Sequence, residues 1–74
     1  MSNNPKLVKI GKLGESVQEY ALTSGDTVSD LLEQASIEME SEEVQRNGQR
    51  VSLDTVLEDG DIVMLVPKVE GASL

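Results

Sequence analysis

Four apolar residues, Val28, Leu31, Leu32 and Ala35, fall at i, i+3, i+4 and i+7 and form the clearest helix-period stripe in the chain. Ser29, Asp30, Glu33 and Gln34 occupy the wet side, so the stripe needs cover from elsewhere in the sequence. Thr27 opens the segment as an N-cap whose hydroxyl accepts an orphan backbone N–H. Asp30, three residues on, places an acid where the helix dipole favours one, although Asp is a weaker capping-box partner than Glu or Gln. The spacing predicts a helix from about Val28 to Ser36 or a little beyond.

The rest of the chain reads as strands and turns. Lys6–Ile10 is a first strand, Gly11 and Gly14 bracket a turn, and Val17–Leu22 is a second strand. On that second strand Gln18, Tyr20 and Leu22 share one face and Val17, Glu19 and Ala21 the other. Both faces carry apolar side chains, so the alternation leaves open which one meets the core. Residues 38–43, with four glutamates, are expected to form a solvated connector or a frayed last turn. A patch that docks basic side chains is the minority reading.

Asn47-Gly48 lies between Val44-Gln45-Arg46 and Gln49-Arg50-Val51, the preferred pair for a tight hairpin turn because both residues tolerate positive φ. Glu58-Asp59-Gly60-Asp61 is a second turn signal. It leads into Ile62–Val66, an unbroken apolar run expected of a strand buried on both faces. Pro67 cannot donate to a sheet ladder and should end that strand or lie at its edge. The expected organisation is a disordered lead over 1–5, one domain over 6–67 and a flexible C-terminal tail over 68–74. The fold class is α+β, a mixed sheet of four to five strands packed on one helix. Parallel pairing of the first and last strands would place Ile62–Val66 centrally, which periodicity alone does not establish.

Composition narrows the chemistry. Seventy-four residues carry 6 basic and 14 acidic side chains, no His, no Cys and one aromatic, Tyr20. Such a chain buries roughly 60% of its unfolded surface, with stability on the order of 4–11 kcal/mol. Without Cys there is no disulfide, thiol nucleophile or thiolate metal site, and without His there is no imidazole base. We expect a protein that is not an enzyme, with no catalytic residue and no cofactor. The net charge of −8 argues against nucleic acid and anionic membranes as partners and favours a basic protein surface. No apolar stretch approaches a membrane span and the first five residues carry no signal-peptide core, so a cytoplasmic location is expected.

In order, the chain has a hairpin, then Gly25-Asp26-Thr27-Val28 with Leu31-Leu32, then Arg46-Asn47-Gly48. Leu57-Glu58-Asp59-Gly60-Asp61, an apolar strand, Pro67 and a tail with Gly71 complete the series. Together these motifs resemble a β-grasp, ubiquitin-like domain, closest to the small sulfur carriers of the molybdopterin-synthase small subunit and thiamine-biosynthesis type. The resemblance covers Leu7 to Gly71 and rests on the order and spacing of the motifs. The TGS regulatory domain shares part of the same cadence. In the sulfur carriers a tail ending in two glycines is adenylated at its carboxylate and converted to a thiocarboxylate. Here Gly71 matches the first glycine, Ala72 stands where the second belongs, and Ser73 and Leu74 follow.

The resemblance implies a protein partner, such as an adenylating enzyme or a larger synthase subunit. It directs attention to Arg46, Gln49, Val66, Lys68, Val69 and Gly71 as partner-binding residues, with Gly71 and Ala72 as the functional tail. The expected function is docking of that partner through the sheet face and tail. The alternatives are a true sulfur carrier or modifier activated at its C-terminus after processing, and a TGS-like regulatory or enzyme accessory subunit. Asp59 and Asp61 flank Gly60 and read as a structural turn rather than a metal site, since hard cations want six to eight oxygen ligands. The six basic residues, Lys6, Lys9, Lys12, Arg46, Arg50 and Lys68, are expected to form a solvated face, with a mixed-charge docking face as the alternative.

Overall fold

The period-2 segments of the sequence pair into one five-stranded sheet. In the computed structural model, which describes residues 5–68, the elements are β1 (Lys6–Lys12), β2 (Gln18–Leu22), α1 (Val28–Gln34), β3 (Glu42–Arg46), β4 (Gln49–Val51) and β5 (Ile62–Pro67). The strand order is β2-β1-β5-β3-β4. β1 and β5 run parallel at the centre, pairing Lys9 with Ile62 and Gly11 with Met64. β2 is antiparallel to β1 on one side, and β3 is antiparallel to both β5 and β4 on the other. Two hairpins around a central parallel pair, with one helix across one face, is the β-grasp arrangement that the sequence resembles.

The core lies between α1 and the sheet. Val8 and Ile10 of β1, Leu22 of β2, Val44 of β3 and Val63 and Leu65 of β5 meet Val28, Leu31 and Leu32 of the helix, with Leu57 closing the end. On β2 the inward face is that of Tyr20 and Leu22, settling what alternation left open. The helix begins as expected. Thr27 caps the backbone N–H of Asp30, and the Asp30 carboxylate accepts the Thr27 N–H at 2.8 Å, so a complete capping box forms with Asp in the usual Glu position. It stops earlier than expected. Ala35 is the C-cap and Ser36 takes φ 58°, which ends the helical geometry one turn short of the acidic connector.

Several other expectations are corrected. Ile62–Val66 is not buried on both faces: Val63 and Leu65 are inward, while Ile62 is exposed and Met64 and Val66 are half-buried. One helix covers one face of the sheet, and among the described residues no second layer lies over the other. β1 extends through Gly11 to Lys12, so Gly11 is a strand residue and not a turn residue. Its reason for being Gly is close approach: a Cβ there would sit 3.1 Å from Ser16 O, Val17 Cα and Val17 Cγ2. Val17 itself stands just outside β2. The acidic connector is shorter than expected, because Glu42 and Glu43 pair with Pro67 and Val66 as the start of β3.

The turns carry the special backbone geometry. Asn47 at φ 52° and Gly48 at φ 89° form the two-residue turn between Arg46 and Gln49, which face each other in register. Pro67 ends β5 as expected. Of the lead over 1–5 and the tail over 68–74, only Pro5 and Lys68 lie within the described residues, so Val69, Gly71 and Ala72 fall outside them. Among the described residues no helix is long and apolar enough to cross a membrane.

Candidate functional site

Strand parity decides what the uncovered face presents. Residues paired with Ile62, Met64 and Val66 share their side of the sheet, which places Lys9, Gly11, Gln45 and Glu43 beside them. Leu7 and Ala21, then Lys9 and Glu19, continue that face onto β2, and Arg50 opposite Gln45 continues it onto β4. The result is an apolar column, Ile62–Met64–Val66, on the central strand, flanked by mixed charges. Leu7 is 46% exposed and Ile62 43%, large values for aliphatic side chains within strands. At the lower end of the column Leu7, Lys9, Glu19, Asp59, Gly60, Asp61 and Ile62 line a shallow depression of about 250 Å³. Val17 covers Gly11 from this side, since it is the group a Cβ at Gly11 would strike.

A polar corner fixes one end of the face. The buried Asp61 carboxylate accepts the Asn47 side-chain N–H at 3.1 Å and the Glu58 backbone N–H at 2.8 Å, and lies 3.8 Å from Arg46 Nη1. Asn47 Oδ1 accepts the Ile62 N–H at 2.9 Å. Asp59 accepts the Leu7 N–H at 2.8 Å, and the Gly60 N–H donates to Leu7 O at 2.8 Å. Each carboxylate is therefore occupied by protein donors, which is what a structural turn requires. Among the described residues no group of acidic side chains is arranged to hold a metal ion.

The residues singled out from sequence do not all gather in one place. Val66 lies on the open face, and Lys68 follows directly beyond β5, its backbone N–H bonded to Ser41 O at 2.9 Å. Arg46 and Gln49 take the opposite parity, since Arg46 pairs with the buried Val63 and with Gln49. Arg46 reaches toward the 52–57 segment, donating to Val56 O at 3.3 Å. Val69, Gly71 and Ala72 lie outside the described residues. The basic residues separate in the same way: Lys9 and Arg50 stand on the open face, Arg46 on the other. Arg50 lies 3.6 Å from Glu43, giving that face its mixed charge.

Leu7, Ile62 and Met64 were not singled out as contact residues by the sequence, and Lys9 was named only among the six basic residues. The signal for Ile62 and Met64 was present, because they share parity with Val66 along one strand. For Leu7 and Lys9 the signal depends on the β1–β5 register, which joins residues more than fifty positions apart.

The comparisons with known proteins bear on the same architecture. The structure is similar to a molybdopterin converting factor subunit 1, described as putative, from Pyrococcus furiosus, at 27% identity and a TM-score of 0.68, covering 86% of this chain and 99% of that one. It is similar to Haloferax volcanii small archaeal modifier protein 1 at 17% identity and a TM-score of 0.69, covering 86% and 99%. A ubiquitin from Caldiarchaeum subterraneum matches at 17% identity and a TM-score of 0.63, covering 90% and 98%. No curated protein sequence matches the chain. The ThiS family model matches residues 10–71, from the middle of β1 to Gly71. Small carriers of this kind are not enzymes themselves, and this chain belongs to the ThiS family.

Proposed function

We propose that this protein works by docking a larger protein partner, with the open sheet face as its contact surface and the segment after β5 delivered to the partner's site. The observation that carries this reading is the Ile62–Met64–Val66 column on β5, the strand that leads directly into the tail. A partner that covers the column also receives the chain that leaves it. Lys9, Glu19, Glu43 and Arg50 around the column supply charge pairs that set orientation, while the apolar centre supplies the desolvated area. Partner chemistry follows: an apolar patch ringed by both signs of charge, belonging to an adenylating enzyme or a larger synthase subunit. On this reading the protein acts in the cytoplasm. Lys68, Val69 and Gly71 belong to the delivered segment. Arg46 and Gln49 flank the hairpin turn on the opposite face and meet the partner only where it wraps past that end of the sheet.

A true sulfur carrier is the second reading, favoured by a family match that continues to Gly71. There the terminal carboxylate would be the reacting group, in a position where Ala72 replaces the second glycine. One added methyl is a steric load in a channel that Gly threads freely.

Two measurements test the pair. Binding of the purified chain to the adenylating enzyme and synthase subunit of its own host, by calorimetry, is expected to weaken at least about tenfold in Ile62→Lys and Val66→Lys, as loss of a central apolar contact would require. Unchanged binding in both variants would overturn the docking face. Intact mass of the chain from host cells that are making sulfur cofactors tests the second reading. A form ending at Ala72, or one with sulfur in place of a carboxylate oxygen, supports it, and unmodified chain alone contradicts it.

A further inference from the structure

Asn47-Gly48 is also a chemically unstable pair. In an Asn-Gly sequence the backbone nitrogen of the Gly attacks the Asn side-chain carbon, because no Cβ on the following residue obstructs the approach. The C–N bond to the side-chain nitrogen then breaks and ammonia leaves. Water opens the cyclic imide at either carbonyl, giving aspartate or isoaspartate. The Gly N–H proton leaves with the ammonia, and the sum is Asn plus water to a carboxylate plus ammonium, with no oxidant or reductant. Gly48 carries no Cβ to hinder its own nitrogen, and no other part of the chain lies within 4 Å of where one would stand.

The electrophile is held. Asn47 Nδ2 donates to Asp61 Oδ1 at 3.1 Å, and Asn47 Oδ1 accepts the Ile62 N–H at 2.9 Å. The Asn47 backbone N–H adds a bond to Ile62 O at 2.8 Å. Both heteroatoms of the side-chain amide are thus tied to the start of β5, and ring closure requires the side chain to leave that position. We propose that Asn47 is a latent modification site whose deamidation is gated by the Asp61–Ile62 clasp, so that the reaction proceeds only when this corner opens.

The product would not fit back. Aspartate at 47 places a carboxylate oxygen against Asp61 Oδ1 where an N–H had donated, replacing a hydrogen bond by like-charge repulsion. Isoaspartate adds a methylene to the main chain of a two-residue turn and breaks the Arg46–Gln49 register. Each opening that reacts is therefore retained as a covalent change at the end of the proposed docking face, beside Ile62.

The test follows ammonia release and isoaspartate formation, located at residue 47 by peptide mass spectrometry, in the full chain at mildly alkaline pH. Reaction in buffer is expected to be at least about tenfold slower than in concentrated urea, as gating by local opening requires. Equal rates would overturn the proposal. Asp61→Asn and Asp61→Ser are then compared with the parent, in whichever of the two circular dichroism shows a folded chain. A severalfold faster reaction at Asn47 supports the clasp. The parent rate in a folded variant would show that Asp61 is not the gate.

Discussion

At the residue scale, conformational demand and close approach decide where this chain tolerates change. Gly48 holds φ 89° at the second position of a two-residue hairpin turn, a region that β-branched side chains resist. Gly48→Val is expected to cost about 1–3 kcal/mol, read as a fall in melting temperature of about 4–8 °C per kcal/mol for a domain of this size. An unchanged melting temperature would refute the turn geometry. Gly11→Ala acts by another route. Its backbone is ordinary strand, but the new Cβ meets main-chain atoms of Ser16 and Val17 at 3.1 Å, and overpacking of this kind is expected to cost about 1–3 kcal/mol. Denaturant melts of Gly11→Ala and the parent separate the two. The role of Gly48 was legible in the sequence because the Asn-Gly signal is local. That of Gly11 was not, because the atoms crowding it belong to the far side of a turn whose path no local pattern specifies.

At the element scale, the helix shows how much short-range information suffices. Thr27, Asp30 and the Val28–Leu31–Leu32 stripe fixed its start, its dry face and its packing direction. Thr27→Ala is expected to cost about 1 kcal/mol through loss of the cap. Leu31→Ala is expected to cost about 2–5 kcal/mol, since Leu31 is wholly buried against the sheet and its removal leaves a cavity. Urea titration that gave the two variants equal midpoints would contradict the assignment of Leu31 to the core. The strands divide less evenly. β4 and the end of β3 follow from the hairpin signal, whereas Glu42 and Glu43 enter β3 against the low strand preference of Glu because β5 offers them partners. Ile62–Val66 read as doubly buried since an apolar run cannot state how many layers will cover it. With a single helix among the described residues, one side of the central strand has no element packed on it there.

On the scale of the whole molecule, that open side is where fold and function meet. The helix and its flanks from Thr23 to Ser41 carry five acidic and no basic side chains. On the open face Lys9 and Arg50 stand among Glu19 and Glu43, so the two signs are matched there. The two sides of the domain thus offer a partner different fields, and the mixed-charge sheet side is the one with apolar surface to bury. From the sequence, the family resemblance identified the sheet face as a class of surface but divided its named residues between two faces. Only the register of β1 against β5 assembles Leu7, Lys9, Ile62, Met64 and Val66 into one patch.

The most direct measurement is the footprint of the bound partner on this chain, read residue by residue from backbone amide shifts on titration with the host's adenylating enzyme or synthase subunit. The docking account predicts that the perturbed amides cluster at Leu7, Lys9, Ile62, Met64 and Val66 and continue past Lys68. Perturbations confined to the helix side, at Asp30, Glu33, Leu53 and Val56, would contradict it.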